Sequence, residues 1–149
     1  MSALVPTLCT IGYEKMFPQT LATELGAAGV RRVIDVRIRP QSRRPGMSKT
    51  RLAALLDEHG ILYEHRRELG TPLEIRGLYR SGHLAEAATA FREHVEAERG
   101  EELDALAAEL ERSPLTALLC LEADPAACHR RVLCDALRAR RPDLEVLDL

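Results

Sequence analysis

The chain has 149 residues and a formal net charge of −2, with 46% hydrophobic and 30% charged residues. This length suits one compact domain, residues 1–149, that can bury a core without a disulfide or a metal. The overall charge gives no indication of a polyanionic partner. No apolar run approaches the roughly 18 residues of a membrane span, so we expect no membrane association.

The cysteines follow no pattern typical of a disulfide framework or a zinc finger. They are Cys9, Cys120, Cys128 and Cys134. Without a CxxC spacing or a signal peptide, we expect reduced thiols and a cytoplasmic location. The conceivable metal ligands are Cys128, His129, His65, His83 and Glu122. No pair of them has a recognised ligand spacing, so we predict neither a metal nor another cofactor.

Strand-like segments alternate with helical patterns along the chain. The predicted strands cover residues 8–13, 30–37, 61–65, 115–121 and 144–149. The predicted helices cover residues 17–28, a segment after Ser48, two segments between 84 and 112, and a segment opening at Asp124-Pro125. Residues 66–82 contain three glycines and a proline, which predict a long surface loop with at most one turn of helix.

This order of elements predicts an α/β fold. Right-handed crossovers would give a single three-layer α/β/α domain around a mostly parallel five-stranded sheet, Rossmann-like, with strand order 3-2-1-4-5. The first and fourth strands would then lie side by side where the strand order reverses. Ligands of such sheets bind at the carboxyl ends of the strands at this point. Residues 12–14, 35–49 and 122–131 should therefore meet there.

The segment from Arg37 to Arg51 contains six basic residues and no acid. A solvated loop is the ordinary interpretation, but this loop should emerge at the ligand end of the sheet. A phosphorylated small molecule or a nucleic acid would suit it as a partner. The expected phosphate contacts in this loop are Arg37, Arg43, Arg44 and Lys49. Asp35 is expected to orient them, while Gly12 and Tyr13 would let the ligand approach the backbone.

The stretch from Asp124 to Arg131 reads as a helix start, with Asp124 as N-cap and Pro125 in the first turn. The partial positive charge there would attract phosphate, with Arg130 and Arg131 as further contacts. It would also lower the pKa of Cys128. The candidate catalytic residues are Cys128, His129 and Glu122. In the alternative interpretation Cys128 packs under the helix and the arginines are solvated.

Five motifs together resemble the DUF488 family of bacterial and archaeal proteins: TIGYEK, IDVR, RPQSRRPGMSK, GILYEHRRELG and LLCLEADPAACHRR. The resemblance runs from Leu8 to about Leu149. It implies that the family's shared positions fall on Gly12, Tyr13, Asp35, Arg37, Pro40, Ser42, Arg43, Lys49, Leu69, Gly70, Cys120, Glu122, Cys128, His129 and Arg130. It supports the fold and the position of the site, and it implies no reaction, because the family's function is unknown.

The leading hypothesis is a domain that binds a phosphate-bearing ligand, a small molecule or nucleic acid, at the carboxyl end of its sheet. One alternative is a cysteine-dependent hydrolase or transferase that uses Cys128 and His129. The other is a non-catalytic interaction module with the acidic helices as its partner surface. The sequence leaves open whether the protein is an enzyme.

Overall fold

The computed structural model describes residues 5–149, so residues 1–4 of the predicted domain lie outside the described part. The five strands are β1 (Thr7–Gly12), β2 (Arg32–Asp35), β3 (Leu62–His65), β4 (Thr116–Cys120) and β5 (Glu145–Asp148). The six α-helices are α1 (Pro18–Ala27), α2 (Lys49–Glu58), α3 (Leu73–Arg80), α4 (Leu84–Glu98), α5 (Gly100–Glu109) and α6 (Arg130–Arg140). No helix within residues 5–149 is both long and apolar enough to cross a membrane.

The sheet confirms the predicted α/β class and is entirely parallel, but its strand order corrects the prediction. The order is β3-β2-β4-β1-β5 and not 3-2-1-4-5. β1 does pair with β4, as expected, whereas β2 also pairs with β4 and has no contact with β1 in the ladder. β4 is therefore the central strand. Its five residues are all buried, which fits an apolar strand with helices on both faces.

The helices divide between the two faces of the sheet according to the direction of each crossover. α1 and α2 follow β1 and β2, and they pack on one face through Leu21, Leu25, Leu52 and Leu56. α4, α5 and α6 pack on the other face, where Phe91, Leu106, Leu133 and Leu137 lie in one core cluster. The loops after β1 and β2 thus turn to one face, and the loop after β4 turns to the opposite face. A crevice opens between them.

Two local predictions are wrong. Residues 66–82 are not a long loop, because a 3-10 turn (Arg67–Leu69) and α3 fill most of the segment. The last helix does not open at Asp124-Pro125. Asp124 caps a 3-10 turn (Pro125–Ala127) by accepting a hydrogen bond from the Ala126 amide at 2.9 Å. Cys128 is then extended, and α6 begins only at Arg130.

Candidate functional site

A cavity of about 710 Å³ lies at the carboxyl ends of β1, β2 and β4 and is closed on one side by α3. Its charged walls are strongly asymmetric. The arginines lining it are Arg37, Arg39, Arg43, Arg44, Arg76 and Arg80. Glu122 is the one carboxylate in the lining. The described residues therefore surround this space with an excess of positive charge.

One wall is organised around Asp35, which is fully buried at the end of β2. Its carboxylate pairs with Arg37, whose Nη2 donates at 2.7 Å and whose Nε donates at 2.9 Å. The remaining Arg37 nitrogen donates to the Tyr13 hydroxyl at 3.1 Å and to the Met47 carbonyl at 2.8 Å. Tyr63 donates its hydroxyl to the same carboxylate. Arg37 is therefore held rigidly. It connects the segment from Arg37 to Arg51, the basic loop, to the sheet.

This network shifts two pKa values. Burial opposes the charge on Arg37, but hydrogen bonds and the negative charge of Asp35 outweigh it and raise the pKa of the guanidinium. Burial, together with the hydrogen bond to Asp35, raises the pKa of the Tyr63 phenol. Both groups therefore keep their protons throughout the physiological range.

The rest of the basic loop is shaped by local hydrogen bonds. Arg44 donates to the backbone carbonyls of Tyr13 and Glu14, which fixes the loop over the end of β1. Ser48 Oγ accepts from the Ser42 amide at 3.0 Å. Arg39 and Arg43 are exposed and line the cavity. They form no ion pair with any carboxylate of the described chain, so their guanidinium groups are free to bind an anion.

Gly12 does not line the cavity, but it sets how closely the loop after β4 approaches β1. A Cβ atom at this position would lie 1.7 Å from the carbonyl oxygen of Glu122. The absence of a side chain lets the loop after β4 cross directly over the end of β1. The Glu14 amide, which donates to the Leu121 carbonyl at 2.8 Å, extends this close pairing beyond the strands.

The floor of the cavity holds Cys120, Cys128 and His129, all buried. The Cys128 Sγ lies 3.5 Å from His129 Nδ1, and the Cys120 Sγ lies 4.0 Å from the same nitrogen. Glu122 Oε2 is 3.6 Å from the Cys120 Sγ. His129 Nε2 donates to the Val36 carbonyl at 2.8 Å, which directs Nδ1 toward the sulfur atoms. Cys120 lies in β4, as predicted, and the sequence spacing gives no sign that its sulfur reaches this floor.

The pKa values of the groups on this floor depend on one another. Burial disfavours a thiolate at Cys128, but the hydrogen bond from Cys120 and the charges of His129 and Arg130 lower its pKa well below the ordinary value. For His129, burial is outweighed by the charge and hydrogen bond of Cys128, so its pKa is raised. Burial and the neighbouring Cys128 charge raise the pKa of Glu122.

α3 supplies a wall of the cavity that the sequence prediction missed. Arg76, Tyr79 and Arg80 are separated by three and four residues, so they share one face of this helix. That spacing was the available signal, and the glycines of the segment obscured it. Burial, followed by the charge of Cys128, raises the pKa of the Tyr79 phenol to about 12.

Five predicted ligand-binding residues lie outside the cavity lining: Gly12 and Asp35, described above, and Lys49, Arg130 and Arg131. Lys49 and Arg131 are exposed at the starts of α2 and α6. Arg130 is 1% exposed, and its Nη2 donates to the Glu122 carbonyl. Arg130 thus supports the loop after β4 from below. His65 and His83, which the sequence offered only as conceivable metal ligands, are not part of the cysteine group, and His65 bonds to the Arg37 carbonyl at 2.7 Å.

Comparison with known families gives one match, to a model described as domain of unknown function DUF488, over residues 18–137. The match covers the basic loop, α3 and the Cys120–Arg130 segment, and thus most of the cavity. No curated protein and no solved structure matches the chain.

Proposed function

This chain belongs to the DUF488 family, and because membership assigns no activity, we propose from its own side chains that it binds a phosphate-bearing ligand in the cavity. The observation that carries the proposal is the lining of six arginines and a single carboxylate. Guanidinium groups present paired N–H donors that match the oxygens of a phosphate. Six guanidinium groups around one space repel one another, and an anion between them would offset this repulsion.

The arginines differ in their availability. Arg37 and Arg44 already donate to protein oxygens, so they position the walls. Arg39 and Arg43 on one side, and Arg76 and Arg80 on the other, line the space and form no ion pair within residues 5–149. These four guanidinium groups are the phosphate contacts that we propose.

The size of the cavity favours a small molecule over a nucleic acid strand. About 710 Å³ lies within the range of pockets that enclose a ligand of nucleotide size. Tyr13 and Tyr79 also line the space, where an aromatic ring or a sugar could pack against them. A nucleic acid would instead need an extended basic surface. The acidic residues of α4 and α5 are largely exposed, and their negative charge would repel the phosphates of a strand.

The direct test is calorimetric titration with inorganic phosphate, pyrophosphate and nucleoside diphosphates. We expect Arg43→Ala combined with Arg80→Ala to weaken binding at least tenfold, since each lost charge-assisted bond contributes roughly 1.5–3 kcal/mol. Arg51→Ala is the matched control, because Arg51 is an exposed arginine on α2 outside the cavity. Equal affinity of the double variant and the wild type, or no binding of any phosphate compound, would refute the proposal.

A parallel titration with single-stranded oligonucleotides separates the two ligand classes. A nucleic acid ligand requires affinity that falls steeply with salt concentration, in proportion to the number of phosphates contacted. If the ligand is a small molecule, the affinity for a mononucleotide should equal or exceed the affinity for the oligonucleotide. Tighter oligonucleotide binding with a steep salt slope would replace the small molecule with a nucleic acid as the ligand.

A second candidate function, a cysteine-dependent hydrolase or transferase, is favoured by the Cys128–His129 contact of 3.5 Å inside the cavity. The His129 ring is oriented by the Val36 carbonyl, an arrangement typical of a nucleophile with its base. It predicts that iodoacetamide modifies Cys128 faster than Cys134 in metal-free protein, and that His129→Ala removes the difference. Equal rates at both cysteines would exclude this candidate. The interaction module stays a prediction without a structural observation in its favour.

A further inference from the structure

The two cysteines and the histidine on the cavity floor form the one group among residues 5–149 in which three ligand atoms of His, Cys, Asp or Glu converge. The Cys120 and Cys128 sulfur atoms and His129 Nδ1 all lie within 4.8 Å of one another. From this geometry we infer that Cys120, Cys128 and His129 bind a zinc ion. Two sulfurs and one imidazole are soft and borderline ligands, a set that selects zinc over magnesium or calcium.

The distances fit a tetrahedral metal with little movement. Zinc bonds of roughly 2.0–2.3 Å to nitrogen and sulfur place neighbouring ligand atoms roughly 3.5–3.8 Å apart. The two sulfur-to-Nδ1 distances are 3.5 Å for Cys128 and 4.0 Å for Cys120. Both sulfur-to-nitrogen distances are therefore within a few tenths of an ångström of the values in a zinc site, and the two sulfurs lie within 4.8 Å of each other. Cys9 and Cys134 are also free and buried, but they do not belong to this group.

The surroundings of His129 support a metal ligand. Its Nε2 donates to the Val36 carbonyl at 2.8 Å, so the lone pair of Nδ1 points toward the two sulfurs. This backbone bond is the support that metal-binding histidines ordinarily have. The Phe91 ring stands edge-on to the imidazole with 5.3 Å between centroids, which restricts its rotation. The ligand atom is therefore preorganised.

Charge balance also favours the metal. Two thiolates offset the charge of Zn²⁺, so the loaded centre is electrically neutral, as a buried position requires. All three ligand residues are at most 7% exposed. The elements that present them are rigid, because Cys120 ends the central strand β4 and His129 is the N-cap of α6.

Three protein ligands leave a fourth position open toward the cavity, the pattern of a catalytic zinc ion. Glu122 borders this position, with Oε2 at 3.6 Å from the Cys120 Sγ. The open position would take a water molecule or an oxygen of the bound ligand. This last assignment rests on the proposed phosphate-binding function, whereas the zinc site itself does not. If Cys128 binds zinc, it is a metal ligand and not a nucleophile. Zinc binding would therefore exclude the cysteine-dependent hydrolase or transferase.

The test begins with full-length protein purified without chelator and analysed for metal by mass spectrometry. We expect one zinc ion per chain. Cobalt substituted for zinc should show the sulfur-to-metal charge-transfer band and the intense visible bands of a tetrahedral thiolate site. Cys120→Ala and Cys128→Ala should each lose the metal, whereas Cys134→Ala, a buried cysteine outside the group, should retain it. Retention of zinc in the Cys120→Ala, Cys128→Ala double variant would overturn the proposal.

A measurement on the wild-type protein tests the proposal even if the variants fail to fold. In zinc-loaded protein, alkylation followed by peptide mapping should find Cys120 and Cys128 protected, and a chelator should expose both. Folded wild-type protein that binds no zinc, or that shows no chelator-dependent change at these two thiols, would also overturn the proposal. Phosphate titration of zinc-free protein tests the arginine cavity separately, so failure of one proposal is distinguishable from failure of the other.

Discussion

At the residue scale, two tyrosines near the cavity have opposite hydrogen-bonding situations. Tyr63 donates to the buried carboxylate of Asp35, whereas the Tyr79 hydroxyl is buried and finds no partner among the described residues. Tyr63→Phe removes a bond to a charged group, so we expect the free energy of unfolding to fall by about 1.5–3 kcal/mol. Tyr79→Phe removes an unsatisfied hydroxyl and should leave stability equal or higher. Urea unfolding of both variants measures the contrast, and equal losses would contradict the assigned network.

Gly12 provides a second prediction at this scale. Gly12→Ala would force a methyl group against the Glu122 carbonyl, so we expect a loss of about 2–3 kcal/mol in the free energy of unfolding. Gly26→Ala is the control, because no atom lies within 4 Å of a Cβ built there and the residue is in α1. Alanine should stabilise that helix by about 0.5–1 kcal/mol. Unchanged stability of the Gly12→Ala protein would contradict this close packing of the loop after β4 on β1.

At the scale of elements, Glu109 connects α5 to the sheet. Its carboxylate accepts from Arg66 at 2.7 and 2.9 Å and from Arg32 of β2 at 3.0 Å. The hydrogen bonds from Arg66, opposed by burial and aided by Arg32, lower the pKa of Glu109. A lowered carboxyl pKa stabilises the folded state above the unfolded pKa, and this contribution is lost as pH falls through the folded pKa.

Glu109→Gln should therefore reduce the free energy of unfolding by about 1 kcal/mol at neutral pH, since the pair is partly exposed. The difference from wild type should shrink as the pH falls below 4.5. Urea unfolding at several pH values measures it. Glu96→Gln is the control, because Glu96 is exposed on α4 without an ion pair in residues 5–149. A difference that persists in acid would refute the assigned pairing.

The elements also show what the sequence could and could not predict. Periodicity and glycine positions located the five strands and five of the six helices, because each buries one repeated apolar face. α3 was missed since the glycines in and around it suggested a loop, although Arg76, Tyr79 and Arg80 share a helical face. The contact between Cys120 and Cys128 depends on tertiary approach across eight residues, and no local pattern encodes it.

At the scale of the whole molecule, strand order could not be predicted because adjacency depends on crossovers that skip a strand. The assumed order placed β1 between β2 and β4, whereas β4 lies between β2 and β1. The nearly all-apolar β4 (TALLC) lies in the centre, where helices cover both of its faces. The loops after β1, β2 and β4 still come together in this order, since the three strands end at one crevice.

Because β4 is the central strand, β1 can join the sheet only through strands that come much later in the chain. β1 pairs only with β4 and β5 within the described sheet. Amide hydrogen exchange under mild denaturant should therefore show β1 and β4 opening as one cooperative unit. Strong protection of β1 amides under conditions where β4 amides exchange freely would contradict this coupling.

This arrangement delays the pairing of β1 while the chain is synthesised on the ribosome. β1 ends at Gly12 and β4 begins at Thr116, so the first strand is synthesised about 100 residues before its partner emerges. Until then its buried positions, Leu8, Cys9 and Ile11, have no sheet to join. We expect nascent chains stalled before Thr116 to be cleaved readily by protease and to bind chaperones. The sheet can close only after β4 has left the ribosome, because β4 is the strand that joins β1 to β2.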